Sequence, residues 1–146
     1  MNVHSGHSSE QRWRLIFLYL QIGLLEYLQE MLTPNLMTIW YYFYGARAID
    51  EVFFLEDFLD LEKEFPNFHF HLALDRPDPK ADALGVKYTP GFIAPVMGDT
   101  YLKQHDAPED IEYYLCGPPM MSKTVLDLLH SLGVEDDMIM FDNFGG

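Results

Sequence analysis

The run CGPPMM at residues 116–121 concentrates residue types that do little except shape a backbone around something. An apolar stretch, IEYYLC at residues 111–116, delivers Cys116, and Gly117 lets the main chain come close to a flat ligand. Pro118 and Pro119 set the turn into a helix whose first N–H groups offer donors and positive partial charge. The same turn also serves as a rigid strand-to-helix joint with no ligand at all. Two other places share its position just after an apolar run. Gly45, Ala46 and Arg47 follow MTIWYYFY, and Asp75 and Arg76 follow FHFHLAL. A lone cysteine such as Cys116 is more often a small buried hydrophobe than a reactive thiol. The histidines His4, His7, His69, His71, His105 and His130 form no convincing ligand set, although His69 and His71 are spaced to share one face of a strand. No metal site is expected.

The elements that must position these residues alternate in type. Residues 37–44 are rich in aromatic and β-branched side chains and read as a strand covered on both sides. Residues 50–65 carry apolar side chains at helical spacing among acidic ones and stop before Pro66. Residues 68–74 form the next strand, and a proline-bearing loop runs through Asp82. TPGFI, at 89–93, restarts order, and residues 98–105 read as helical. The strand at 111–116 leads into a helix at 118–132, with Met121, Val125, Leu128 and Leu129 on its buried side and Gly133 closing it. A short strand follows at 138–141. The stretch at 13–32 has two readings, a strand at 15–20 running into a helix, or one long helix. Strands and helices in this alternation predict an α/β fold, a doubly wound parallel sheet of about five strands with right-handed crossovers. Ligands of such sheets bind beyond the carboxyl ends of the strands. That puts residues 45–47, 75–76 and 116–120 on a common rim.

Composition limits the chemistry. A formal net charge of -14 repels phosphate backbones and anionic headgroups, so nucleic acid is a poor partner. An anionic ligand would have to be held by local backbone donors and a few placed cations, which draws attention to Arg47 and Arg76. One cysteine excludes an intrachain disulfide and any four-cysteine metal or iron-sulfur site within this chain. The longest unbroken apolar run at 13–32 is far below the ~20 residues of a spanning helix. A cytoplasmic location without direct membrane insertion is therefore expected, with the polar stretch at 1–11 taken as a disordered start.

The turn at residues 116–119 resembles that of the ferredoxin-NADP reductase superfamily. Within it, WYYFYGAR, EDF, EFPNF, HLAL, GFI, YL, APED, EYYLCGPPMM, LGVED and DNFGG occur in the order found in the F subunit of sodium-translocating NADH:quinone reductase. The resemblance covers about residues 37–146, so residues 36–146 are expected to form an NADH-binding domain and 1–35 an atypical N-terminal segment. It implies a flavoprotein oxidoreductase in which NADH is positioned for hydride transfer to FAD, with electrons passing on through a [2Fe-2S] cluster to quinone. In that setting Gly45, Ala46 and Arg47 meet the dinucleotide, Arg47 being available to a phosphate. The competing role for Arg47 is a surface arginine capping an acidic helix start. Asp75 would accept the adenosine ribose hydroxyls, which favours NADH over a 2′-phosphorylated nucleotide, and Arg76 beside it is the residue that could receive such a phosphate. Cys116, Gly117, Pro118, Pro119 and Met120 would frame the nicotinamide, with Cys116 in contact rather than acting as a nucleophile. Phe144 resembles the C-terminal aromatic that stacks on flavin and moves aside for nicotinamide. The implied partners are a flavin domain and the other subunits of a reductase on the cytoplasmic side of the bacterial inner membrane.

The chain departs from that pattern in one consequential place. Where the family has a glycine-rich loop cradling the pyrophosphate, residues 18–34 read LYLQIGLLEYLQEMLTP, with Gly23 as their only glycine. The upstream flavin barrel and iron-sulfur domain have no counterpart in these residues, so FAD is not expected to be held by this chain alone. These features lead us to expect an excised, truncated or aberrantly started NADH domain that is incomplete and inactive in isolation. A second reading follows from the missing loop: a catalytically silent domain that folds, or self-associates through Leu24, Leu28, Met31 and Leu32, without binding nucleotide.

Overall fold

The structure, a computed structural model, describes residues 12–18, 28–32 and 37–141. Its strands are β1 (Arg12–Leu18), β2 (Thr38–Ala46), β3 (Phe68–Leu74), β4 (Thr89–Pro90), β5 (Glu112–Cys116) and β6 (Ile139–Phe141), in the sheet order β4-β3-β2-β1-β5-β6. All neighbouring pairs are parallel. The helices are α1 (Leu55–Glu64), α2 (Pro79–Ala83), α3 (Ile93–Thr100) and α4 (Pro119–Ser131). This is the doubly wound parallel sheet expected from the alternation of patterns. The strand beyond the expected five is β4, whose two residues lie within the TPGFI segment.

The ambiguous stretch near the start resolves into a strand and then a helical segment, since β1 ends at Leu18 and residues 28–31 are helical. β1 starts three residues before the apolar run, and Arg14 is accommodated within it. Arg14 stands in register with Trp40 on one side and Glu112 on the other. Its guanidinium lies 5.0 Å from the Trp40 ring centroid, and its Nε is 3.0 Å from a Glu112 carboxylate oxygen. A charge between two central strands is thereby paired at the end of the sheet away from the rim.

Two covers differ in character. On one face Trp40, Tyr42, Tyr44 and Ala46 of β2 join Phe68, Phe70, Leu72 and Leu74 of β3 beneath Phe58 and Leu61 of α1. The Phe58 ring meets Tyr42 edge-on at 4.9 Å and stacks on Phe70 at 5.4 Å. Leu28 and Leu32 are buried in this same core, which corrects their assignment to a self-association surface: their apolar area is already consumed by folding, while Met31 stays 42% exposed. Leu24 lies outside the described residues. On the other face Phe43, Ala73, Ile93, Met97, Val125 and Leu129 form a second core under α3 and α4.

Three helical segments differ from expectation for local reasons. The helix read at 50–65 is a 3-10 turn at Ile49–Glu51 followed by α1, because Phe54 takes a left-handed conformation (φ 59°) between them. The proline-bearing loop hides α2. Asp78 caps it by accepting from the N–H groups of Lys80 (2.9 Å) and Ala81 (3.4 Å), with Pro79 suited to the first helical position. The same carboxylate accepts the Ile49 N–H at 2.8 Å, tying the turn after β2 to the helix after β3. Finally, α3 begins at Ile93 and ends at Thr100, with a separate 3-10 turn at Leu102–Gln104, where one helix at 98–105 was expected. Pro95 sits in its first turn, where the missing N–H has no partner to lose.

Candidate functional site

The rim residues are brought together by a change in side-chain size along two strands. On the face covered by α3 and α4, β2 presents Tyr41, Phe43 and Gly45, and β3 presents His69, His71 and Ala73. Near the start of the strands the rings fill the space: His69 stacks on Tyr41 at 4.8 Å, His71 on Phe43 at 4.7 Å, and Tyr41 on Tyr101 at 4.0 Å. Toward the carboxyl end Gly45 and Ala73 stand side by side in register with almost no side chain between them. A cavity of about 780 Å³ opens there, bounded by the ends of β2 and β3, by α3 and by the start of α4.

Gly45 stands on its wall. A Cβ added there would lie 3.1 Å from Ile93 Cβ and 3.2 Å from Met121 Cε, so glycine is what lets α3 and α4 close onto the strand end. Ala46 accepts the Asp75 N–H at 3.1 Å, which holds these two strand-end residues together on the cavity. Gly91 starts the α3 wall. Its φ of 135° is closed to other residues, and its N–H donates to Leu74 O at 2.7 Å. Phe92 and Met120 flank the cavity with 69% and 73% of their surface exposed.

The CGPPMM run forms the strand-to-helix turn that its residue types suggested. Cys116 ends β5 opposite Leu18 of β1. Pro118 caps α4 and Pro119 is its first residue, so the turn is set without a side-chain cap. Ser122 donates through its N–H to Pro118 O at 2.9 Å and through Oγ to Gly117 O at 3.3 Å. Pro118 and Met120 line the cavity, and Met121 with them, whereas Gly117 and Pro119 are not among its lining residues.

Arg47 also lines the cavity and is engaged by Glu51. Its Nε donates to one carboxylate oxygen at 2.9 Å, its Nη2 lies 2.7 Å from the same oxygen, and its main-chain N–H donates to the other at 3.2 Å. These hydrogen bonds, the side-chain one first, hold the Glu51 carboxyl below the usual carboxylate range. Arg76 is exposed and does not line the cavity. Phe144 and Gly23 lie outside the described residues, as do residues 19–27 and 33–34 of the glycine-poor segment at 18–34.

Sequence reasoning did not find the α3 wall. Ile93, Ala94, Gly98, Asp99 and Lys103 all line the cavity, as do Thr124 and Leu128 of α4. The available signal was GFIAP, a glycine followed by a proline one helical turn on, which marks a helix start five residues before the one expected. Among the described residues no three His, Cys, Asp or Glu side chains are grouped to hold a metal, and no helix is long and apolar enough to cross a membrane.

The chain is homologous to the F subunits of Na(+)-translocating NADH-quinone reductases. It is 55% identical to that of Psychrobacter arcticus over 105 residues, which is 72% of this chain and 25% of the relative. It is 46% identical to that of Pseudoalteromonas atlantica over 123 residues, 84% of this chain and 29% of the relative. The chain therefore spans about a quarter of the length of the curated relatives it matches. Among solved structures, the cytochrome b5 reductase domain of Ulva prolifera nitrate reductase superposes with a TM-score of 0.66 at 22% identity, covering 91% of this chain and 51% of that one. That likeness shows the fold alone, which resembles the ferredoxin-reductase-like NAD-binding fold. No family model matches the chain.

Proposed function

We propose, from that homology and from the cavity at the strand ends, that this chain is the NADH-binding part of a flavoprotein NADH:quinone reductase of the sodium-translocating type. The observation that carries the reading is the cavity of about 780 Å³ that joins the end of β2, the residue after β3 and the turn after β5. A dinucleotide is long, and it needs its contacts spread across several strand ends of a doubly wound sheet. The cavity suits it chemically: its apolar walls at Ala46, Ala73, Ile93 and Met121 accept flat rings, and Arg47 and Asp75 stand on the same surface for phosphate and ribose.

In this reading the adenosine half lies along Gly45, Ala46 and Asp75, and Asp75 accepts the ribose hydroxyls. Arg47 pairs with a phosphate by sharing its guanidinium with Glu51, whose carboxylate holds the fork in place. The nicotinamide lies against Cys116, Gly117, Pro118, Pro119 and Met120, where a turn fixed by two prolines holds it without rearranging. Phe144 covers the flavin side until the nicotinamide arrives. Bound FAD would supply the hydride-accepting chemistry; residues of this chain orient the donor and exclude water. These residues hold one cysteine, so in this reading a four-cysteine [2Fe-2S] cluster and the flavin site lie outside them, and the other subunits of a cytoplasmic-side assembly are the partners.

A saturable quench or shift of NADH fluorescence on titration with the full chain is the expected outcome, and Gly117→Val should abolish it by pushing a side chain into the turn. Absence of saturable binding by the unaltered chain would favour the reading in which the domain is silent.

A further inference from the structure

The cavity's two cations, Arg47 and Lys103, are each paired with a carboxylate but to different extents, and Asp75 is a further carboxylate on the same lining. Arg47 is committed through side chain and main chain to Glu51. Lys103 meets Asp99 through one hydrogen bond, Nζ to Oδ1 at 3.1 Å, with the two side chains 59% and 67% exposed. An exposed pair four residues apart contributes at most about 1 kcal/mol, so a stronger anion displaces Asp99 easily.

The path of the lysine stem supports a role in the cavity. A Cβ added at Gly98 would stand 3.4 Å from both Lys103 Cε and Leu128 Cδ1. The end of the lysine stem thus lies beside Gly98 of α3, and both residues line the cavity. Gly98 is five residues beyond Ile93, which packs on Gly45, so this cation lies roughly 7 Å farther along the helix axis than the strand-end wall.

We propose that Lys103 is a phosphate-pairing residue of this cavity, exchanging Asp99 for the pyrophosphate of a bound adenine dinucleotide. The inference rests on the NADH reading above and deepens it. Residues 18–34 offer one glycine where a phosphate loop would have several, and the chain's net charge of -14 opposes an anion everywhere except beside a placed cation. A lysine suits the task as a mobile point charge that follows the phosphate without demanding planar geometry.

The test is calorimetric titration of the full chain with NADH and with ADP-ribose, which keeps the pyrophosphate and lacks the nicotinamide. Lys103→Gln should weaken both ligands about tenfold, the effect of losing one hydrogen bond to a charged group, and should flatten the salt dependence of binding. Lys103→Arg should restore most of the affinity, and Asp99→Asn should strengthen binding a few-fold by releasing the ammonium. Wild-type binding of both ligands with an unchanged Lys103→Gln affinity would overturn the pairing and leave the NADH reading intact. Failure of the unaltered chain to bind either ligand would overturn the NADH reading and the pairing with it.

Discussion

Strands β2 and β3 present opposite faces to two different surroundings. Toward α1 they keep bulk along most of their length, from Trp40 through Tyr44 and from Phe68 through Leu74, and the space is filled. Toward α3 and α4 the bulk declines from Tyr41 and Phe43 to Gly45, and from His69 and His71 to Ala73, and the space opens into the cavity. A filled face supplies the burial that makes the sheet rigid, and a tapering face on the same strands turns that rigidity into a shaped site. Both faces carry buried core, but only the one toward α3 and α4 tapers to an opening, so in the proposed reading substitutions should separate stability from binding.

The largest effect should come from emptying the filled face. Phe58→Ala removes a ring that is 1% exposed and lies against Tyr42 and Phe70. It should cost about 3–5 kcal/mol in urea unfolding, while the NADH affinity of the folded molecules stays the same. Filling the open face should do the reverse. Gly45→Val places a branched side chain within 3.1 Å of Ile93 and should reduce NADH affinity at least about tenfold, with a smaller stability loss of about 1–3 kcal/mol. Asp75→Asn changes charge without changing shape. It should weaken NADH roughly five- to tenfold through the ribose hydrogen bonds and leave the unfolding midpoint near wild type.

The smallest effect is one of pH. His71, stacked on Phe43, has its pKa lowered first by burial, with His69 and Lys87 acting in the same direction and Glu62 against them. The unfolded chain takes up this proton near pH 6.5 and the folded chain only at lower pH, so stability is full above about 6.5 and declines as pH falls toward the folded value. Unfolding midpoints should therefore drop between pH 7.5 and 5.5, and His71→Phe should reduce that drop. Glu51 and Asp78 do not interfere, since both are held below the usual carboxylate range and lose their contributions only at lower pH.

The filled face was easier to read from sequence than the open one. FHFHLAL announces β3 because a run of seven residues, mostly apolar, is bounded by an asparagine turn and by Asp75. Two-residue β4 and five-residue α2 carry too few side chains for any period to register. Of the residues read as a strand-end rim, Gly45, Ala46, Arg47, Asp75, Pro118 and Met120 all reach one cavity. The α3 wall was not legible. Gly98 has meaning only once Leu128 and Lys103 are seen beside it, and those neighbours come from another helix and a separate turn. Phe54 is a further case, because nothing in a phenylalanine announces a left-handed backbone.

The most direct test of the account is a two-dimensional amide spectrum of the full chain recorded with and without millimolar NADH. Dinucleotide binding at the open face should give dispersed peaks with NADH-dependent shifts at Gly45, Asp75 and Gly117, and little movement at Phe58 or Leu61 on the filled face. Dispersed peaks that do not move at any of the strand ends would contradict it, leaving a folded domain whose open face takes no dinucleotide.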